Sequence, residues 1–163
     1  MKKKNAGDNI KVENSSWTFS GKVAQNFDKH ISKSVPYYHW SHQLGLNISD
    51  FFLKNNSNVY DLGCSTGSFL QKIAKRHSKK KINFHGLDEV KEMISWAKNK
   101  NKNKNIKFLN KNIINYKLKK SEFITSFYTI QFIPPAKRQA IFNKIFNSLN
   151  WGGGFLFFEK VRA

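Results

Sequence analysis

The sequence predicts an α/β domain of Rossmann-like type, in which a mostly parallel sheet of about five strands carries helices on both faces. Three observations predict it. Strand-length apolar runs alternate with stretches of helical period. A small-residue turn, Asp61-Leu62-Gly63-Cys64-Ser65-Thr66-Gly67, falls between the first such strand and the helix after it, and a carboxylate, Asp88, closes the next strand. Alternation of this kind calls for parallel pairing with right-handed crossovers. The glycine turn then lies at the carboxyl end of the first strand, where a sheet of order 3-2-1-4-5 changes direction and where such sheets bind ligands.

The elements follow in order. Residues 1–16 are polar without an apolar period and read as a disordered basic tail, leaving 17–163 as one domain. From Gly21 to Ile31, and from about Tyr38 to Leu53, apolar residues recur at helical spacing (Val23, Phe27, Ile31; Leu44, Ile48, Phe51, Phe52), with Pro36 between the two helices. Asn58 to Gly63 is a short buried strand running into the turn, and Ser68 to Arg76 is the helix that leaves it. Lys81–Asp88, Ile106–Leu109 and Glu122–Thr129 read as further strands, with a helix from Glu89 to about Lys100. Pro134 and Pro135 suit the first turn of a helix, where a missing N–H is harmless, and that helix runs to Leu149. Gly152-Gly153-Gly154 then ends the connection, and Phe155–Glu159 is the fifth strand. Its continuous apolar run suits a strand covered on both faces. At a sheet edge it would favour self-association, which allows a homodimer.

A chain of 163 residues can bury one sizeable core. The formal charge of +19 would ordinarily suggest a polyanionic partner. It comes from lysine far more than arginine, however, and lysine occurs in nearly every segment together with abundant Asn, Ile and Phe. Direct nucleic-acid binding is therefore not the favoured reading, because phosphate clamps usually use arginine forks. The single cysteine, Cys64, makes no internal disulfide, and the polar start after Met1 is unlike a secretory signal, so a cytoplasmic location is expected. No apolar run approaches the roughly 20 residues of a membrane helix.

The chemistry lies in the turn and in Asp88 together. Small residues let the backbone turn sharply and approach a ligand, and the helix that follows offers free N–H donors to an anion such as an amino-acid carboxylate. Asp88, 25 residues after Gly63, stands where a carboxylate accepts hydrogen bonds from both hydroxyls of a ribose. The pair points to an adenosyl-type cofactor. A dinucleotide is disfavoured, since the second and third glycines of its G-x-G-x-x-G fingerprint would fall at Ser65 and Ser68.

Four stretches make a closer resemblance visible: Lys33-Ser34-Val35-Pro36-Tyr37-Tyr38; Val59 to Ser65; Gln131-Phe132-Ile133 with Arg138-Gln139-Ala140; and Leu149-Asn150 through Gly152-Gly153 to Glu159-Lys160. Over about Trp17 to Lys160 the chain resembles the carboxy-S-adenosyl-L-methionine synthase family, within the class I S-adenosylmethionine-dependent methyltransferase superfamily. The resemblance implies S-adenosylmethionine (SAM) as cofactor and a small second substrate, prephenate, giving carboxy-SAM and phenylpyruvate, with the product serving modification of the tRNA wobble uridine. It implies cofactor contacts at Tyr38, Gly63, Cys64, Ser65, Asp88, Glu89, Asn112 and Ile113, beside which Asp61 and Gly67 belong to the turn itself. Three departures stand out. The family's acidic residue after the third strand is Asn112, its fourth-strand asparagine is Phe127, and its carboxylate-recognising arginine lies beyond Ala163, so the chain looks C-terminally shortened, with five strands of a sheet that has seven when complete. Two rival readings remain: a methyltransferase acting on a small metabolite or RNA, and a non-catalytic SAM-binding remnant.

Other features have plain explanations. Cys64 is a small residue at a crowded turn, and no nucleophile or general base is assigned. His39 and His42 share a helix face without a third ligand, so no metal is expected. Ile133-Pro134-Pro135 lacks the asparagine and aromatic of an amine-binding loop and is a helix start. The Lys98–Lys107 stretch is a solvated connection, and Glu159-Lys160 is equally an active-site pair or two strand-end polar residues.

Overall fold

A computed structural model describes residues 12–13, 16–17 and 23–160. Across the boundary drawn between tail and domain, β1 (Val12–Glu13) and β2 (Ser16–Trp17) form a two-residue antiparallel ladder. The rest of the tail, the expected helix start at Gly21, and residues 161–163 lie outside the described residues.

Two helices precede the sheet as expected, α1 (Val23–Ser34) and α2 (Tyr38–Phe52). The sheet and its crossovers follow as β3 (Asn58–Leu62), α3 (Ser68–Arg76), β4 (Asn83–Asp88), α4 (Lys91–Lys100), β5 (Ile106–Asn110), β6 (Ser121–Phe127), α5 (Pro135–Ser148) and β7 (Leu149–Phe158). All five long strands are parallel, in the order β5-β4-β3-β6-β7, which is the expected 3-2-1-4-5.

Alternate side chains of the strands build a separate core on each face of the sheet. Val59, Phe84, Ile106, Phe108 and Phe123 pack against Phe69, Leu70 and Ile73 of α3, Ile94 and Ala97 of α4, and Leu46 and Phe52 of α2. Tyr60, Leu62, Leu87 and Ile124 face Ile141 and Ile145 of α5 and Leu118 of the β5–β6 connection. Burying each such side chain contributes roughly 1.5–3 kcal/mol relative to leaving it in water. The helices are therefore fixed by one apolar stripe each, and the loops at the carboxyl ends of the strands are free to build a site.

One element differs from expectation. The glycines 152–154 do not end a connection; they lie inside β7, which begins at Leu149 and pairs with β6 across an irregularity between Ser121 and Phe123. Close packing explains why glycine tolerates a strand position here. A Cβ on Gly154 would come within 2.5 Å of the Phe52 ring, and one on Gly153 within 2.9 Å of the Asn150 carbonyl oxygen. β7 is the sheet edge, with Trp151 and Phe157 exposed on it. Beyond β6, the strand expected to reach Thr129 stops at Phe127, and Ile130–Phe132 closes into a 3-10 turn.

Candidate functional site

The loop between β3 and α3 sits at the carboxyl end of the central strand. Its path is fixed from β4: the N–H groups of Gly63 and Cys64 both donate to the Leu87 carbonyl, at 2.8 and 2.9 Å. Asp88, the last residue of β4, finishes the job with its side chain. Oδ2 accepts the Ser65 N–H and Oδ1 the Val90 N–H, both at 2.9 Å, so one carboxylate ties the loop to the start of α4. Burial pushes the Asp88 carboxyl above its ordinary range, against the pull of these two bonds. Gly67 enters α3 in the left-handed region and no side chain caps that helix, so its first N–H groups have no capping side chain as acceptor.

Gly63 and Ser65 also adopt positive φ, 78° and 48°. At Gly63 this combines with a close approach, since a Cβ there would stand 2.1 Å from the Thr129 hydroxyl. Cys64 is buried, its thiol pushed well up by desolvation, and a Cβ on Gly86 would come within 2.8 Å of its sulfur. That fits a packing role rather than a thiolate.

Asp61 lies beneath the loop, 3 % exposed, and accepts the Thr125 hydroxyl at 2.8 Å. Among the described residues it has no ion pair. Burial first, with the Asp88 charge adding and Thr125 opposing, raises its carboxyl to about 7. An unfolded aspartate has a pKa of about 3.9. Between those values the folded state holds a proton that the unfolded state has lost, so stability falls as pH rises from about 4 to 7 and levels off above. The buried His42, lowered to about 3, contributes with the opposite sign. Comparison of Asp61→Asn with the parent isolates the carboxyl: urea denaturation at several pH values is expected to show the variant gaining stability relative to the parent as pH rises to 7. An unchanged difference across that range would remove Asp61 from the balance.

Tyr38 is buried at the start of α2. Its side chain hydrogen-bonds Ser68 at the head of α3, and desolvation holds the phenol well above its ordinary range. Its ring lies 4.4 Å from His42 and 6.3 Å from Tyr128. On the other side of Asp88, Glu89 and Asn112 meet directly: Asn112 Nδ2 donates to Glu89 Oε2 at 2.6 Å while its Oδ1 accepts the Ile114 N–H at 2.8 Å. Ile113 is half-buried between them and α5, whose Lys144 ammonium donates to the Ile113 carbonyl at 3.0 Å. An aspartate at 112 would set a second negative charge against Glu89, and the amide removes that conflict.

The structure thus gathers Asp61, Gly63, Cys64, Ser65, Gly67 and Asp88 at one loop, places Tyr38 on its α3 side, and sets Glu89, Asn112 and Ile113 along the far rim. Sequence reasoning missed Asp28, which accepts the Thr66 hydroxyl at 2.7 Å from α1, and Thr129, which packs on Gly63. Neither residue type carried a signal, since both contacts join segments far apart in the chain. Among the described residues no group of His, Cys, Asp and Glu could hold a metal, and no helix is long and apolar enough to cross a membrane.

Comparison with known proteins bears on the family and the fold. Residues 59–153 match a family described as a methyltransferase domain. The chain is 36 % identical over 148 residues to a carboxy-S-adenosyl-L-methionine synthase of Staphylococcus epidermidis, covering 90 % of this chain and 64 % of that protein. It is 41 % identical over 148 residues to the synthase of a Nitratiruptor species, covering 88 % and 60 %. It therefore spans less than two thirds of the length of these relatives. Among solved structures, a SAM-dependent methyltransferase of Methanococcus maripaludis superposes with a TM-score of 0.67 at 22 % identity, over 90 % of this chain and 66 % of that one. The plantazolicin methyltransferase in complex with SAH superposes at 0.60 and 18 % identity, over 77 % and 48 %.

Proposed function

The chain belongs to the methyltransferase-domain family, and from that premise we propose that it is a SAM-dependent transferase of the carboxy-SAM synthase type. The observation that carries the cofactor reading is Asp88. It closes β4, and by holding the Ser65 N–H it makes the strand-end carboxylate and the glycine loop a single unit. The groups around it suit SAM. The uncapped start of α3 offers donors to the methionine carboxylate, and the buried Asp61, with a hydroxyl but no cation beside it, suits the ammonium. Asp88 has acceptor capacity left for the ribose hydroxyls, each oxygen having two lone pairs and one donor. Glu89, Asn112 and Ile113 line the adenosyl end, and Tyr38 stands beside the start of α3, toward the methionine end. Bound SAM supplies an activated methyl group on a sulfonium; the protein's part is to hold it, screen it from water and orient a small second substrate, so positioning and electrostatics carry the rate and no general base is required of this chain.

The synthase reading rests on the identity to the two synthases above. With prephenate as partner, bound SAM would supply the methyl carbon that takes up the carboxyl group, the balance being SAM plus prephenate to carboxy-SAM, phenylpyruvate and water, while Asp61, Asp88 and the start of α3 would hold the cofactor. Incubating the chain with SAM and prephenate, then analysing products by mass spectrometry, tests it. Carboxy-SAM formed only with prephenate is the expected result. Binding of SAM without that product would reduce the reading to a methyltransferase or a binding remnant, and absence of binding would remove the cofactor as well.

A further inference from the structure

We propose that Glu159, at the carboxyl end of β7, is a positioning residue that holds the turn after β6 so that Thr129 braces the glycine loop from behind; the proposal rests on the cofactor reading above. The two oxygens of one carboxylate bridge successive backbone donors, Oε1 accepting the Ile130 N–H at 2.7 Å and Oε2 the Gln131 N–H at 3.1 Å. Further bonds fasten the same segment, residues 128–133. The Lys160 N–H donates to Gln131 Oε1 at 3.2 Å, and Arg138 of α5 donates through Nη2 to the Gln131 carbonyl at 3.0 Å and through Nε to the Ile133 carbonyl at 2.8 Å. The Tyr128 N–H reaches back to the Phe158 carbonyl at 2.7 Å, across a residue whose φ of 56° is unfavourable for a tyrosine and persists only because its neighbours hold it.

What this fastening presents is Thr129. Its hydroxyl donates to the Phe127 carbonyl at 3.1 Å, which fixes the rotamer, and its side chain fills the space where Gly63 would carry a Cβ. Movement of the turn therefore changes what the loop leans on. Tyr128 leaves the same segment toward Tyr38, with 6.3 Å between the ring centroids, so the turn also meets the wall on the α3 side of the loop. Glutamine is a poor substitute. It offers one acceptor and turns an NH₂ group against the other N–H, leaving a half-buried donor unmet.

Calorimetric titration of the 163-residue chain with S-adenosylhomocysteine tests the proposal. Glu159→Gln is expected to bind about tenfold more weakly, the scale of one such bond, and Glu159→Asp, which keeps the charge, to fall between. Thr129→Ala is expected to weaken binding too, and in the double variant Glu159→Gln adds little further loss, because it acts through the missing side chain. Losses that multiply in the double variant, or a folded Glu159→Gln with the parent's affinity, would overturn the proposal. If Glu159→Gln does not fold, the same cycle with Glu159→Asp decides. A parent chain that binds no S-adenosylhomocysteine defeats the cofactor reading itself, a result separable from the parent binding and the variants matching it.

Discussion

Replacing Asp88 with alanine is expected to weaken SAM binding by roughly 1–3 kcal/mol, the range for leaving buried hydrogen-bonding groups without partners. The change removes more than a ligand contact. It frees the Ser65 and Val90 N–H groups that the carboxylate now holds, so the loop loses its tie to β4 before any ribose arrives. It also removes a negative charge from the start of α4, where the helix dipole favours one. Asp88→Asn separates these effects, since it retains one acceptor and the side chain's volume while removing the charge; it should fall between parent and alanine variant. Calorimetry on variants with cooperative melts is the measurement, and a folded Asp88→Ala with unchanged affinity would take Asp88 out of the site.

The part of the site that could be read from sequence is the part made within one β-turn-α unit and its neighbour. Between Asn58 and Asp88 the expected and observed elements agree to within two residues, because each is specified locally: a short, largely apolar run, a turn of small residues, a helix of period 3.6, then a second strand ended by an acid. Asp88 was legible for the same reason. What was not legible is made by tertiary contact. The glycine triplet suggests a turn by composition, yet Phe52 of α2 needs the space at Gly154, and a strand results. Thr129 resembles a strand residue until the 3-10 turn places it on Gly63. Glu159 and Lys160 carried two readings of equal standing, and only the carboxylate's two backbone donors distinguish a fastening from an exposed strand end. Asn112, a departure when considered alone, is matched by Glu89 beside it. The two positions together keep one acidic group at the rim of the site, with the amide at 112 donating to it.

Gly63→Ala is expected to be the most damaging single-methyl substitution in the loop, destabilising the fold by at least about 2 kcal/mol and weakening cofactor binding with it. Two independent causes add. The φ of 78° belongs to a region where a Cβ meets the following carbonyl oxygen, at roughly 1–2 kcal/mol for an L residue. The new Cβ would also lie 2.1 Å from the Thr129 hydroxyl, 2.4 Å from its methyl and 2.7 Å from its Cβ, and overpacking of this sort costs roughly 1–3 kcal/mol. Thr129 has little room to yield. It is β-branched, its hydroxyl is bonded to the Phe127 carbonyl, and the turn beyond it is fastened by Glu159. In a domain of this size 2 kcal/mol lowers the melting temperature by roughly 4–8 °C. The double variant Gly63→Ala with Thr129→Ala removes the overlap but not the backbone strain, so it should regain part of the loss relative to Thr129→Ala alone. Thermal melts of the four chains, with S-adenosylhomocysteine titrations on those that fold, measure both effects. A Gly63→Ala chain that melts within about 1 °C of the parent would mean that the loop relaxes freely, and the close seat of Thr129 against Gly63 would then have no part in shaping the site.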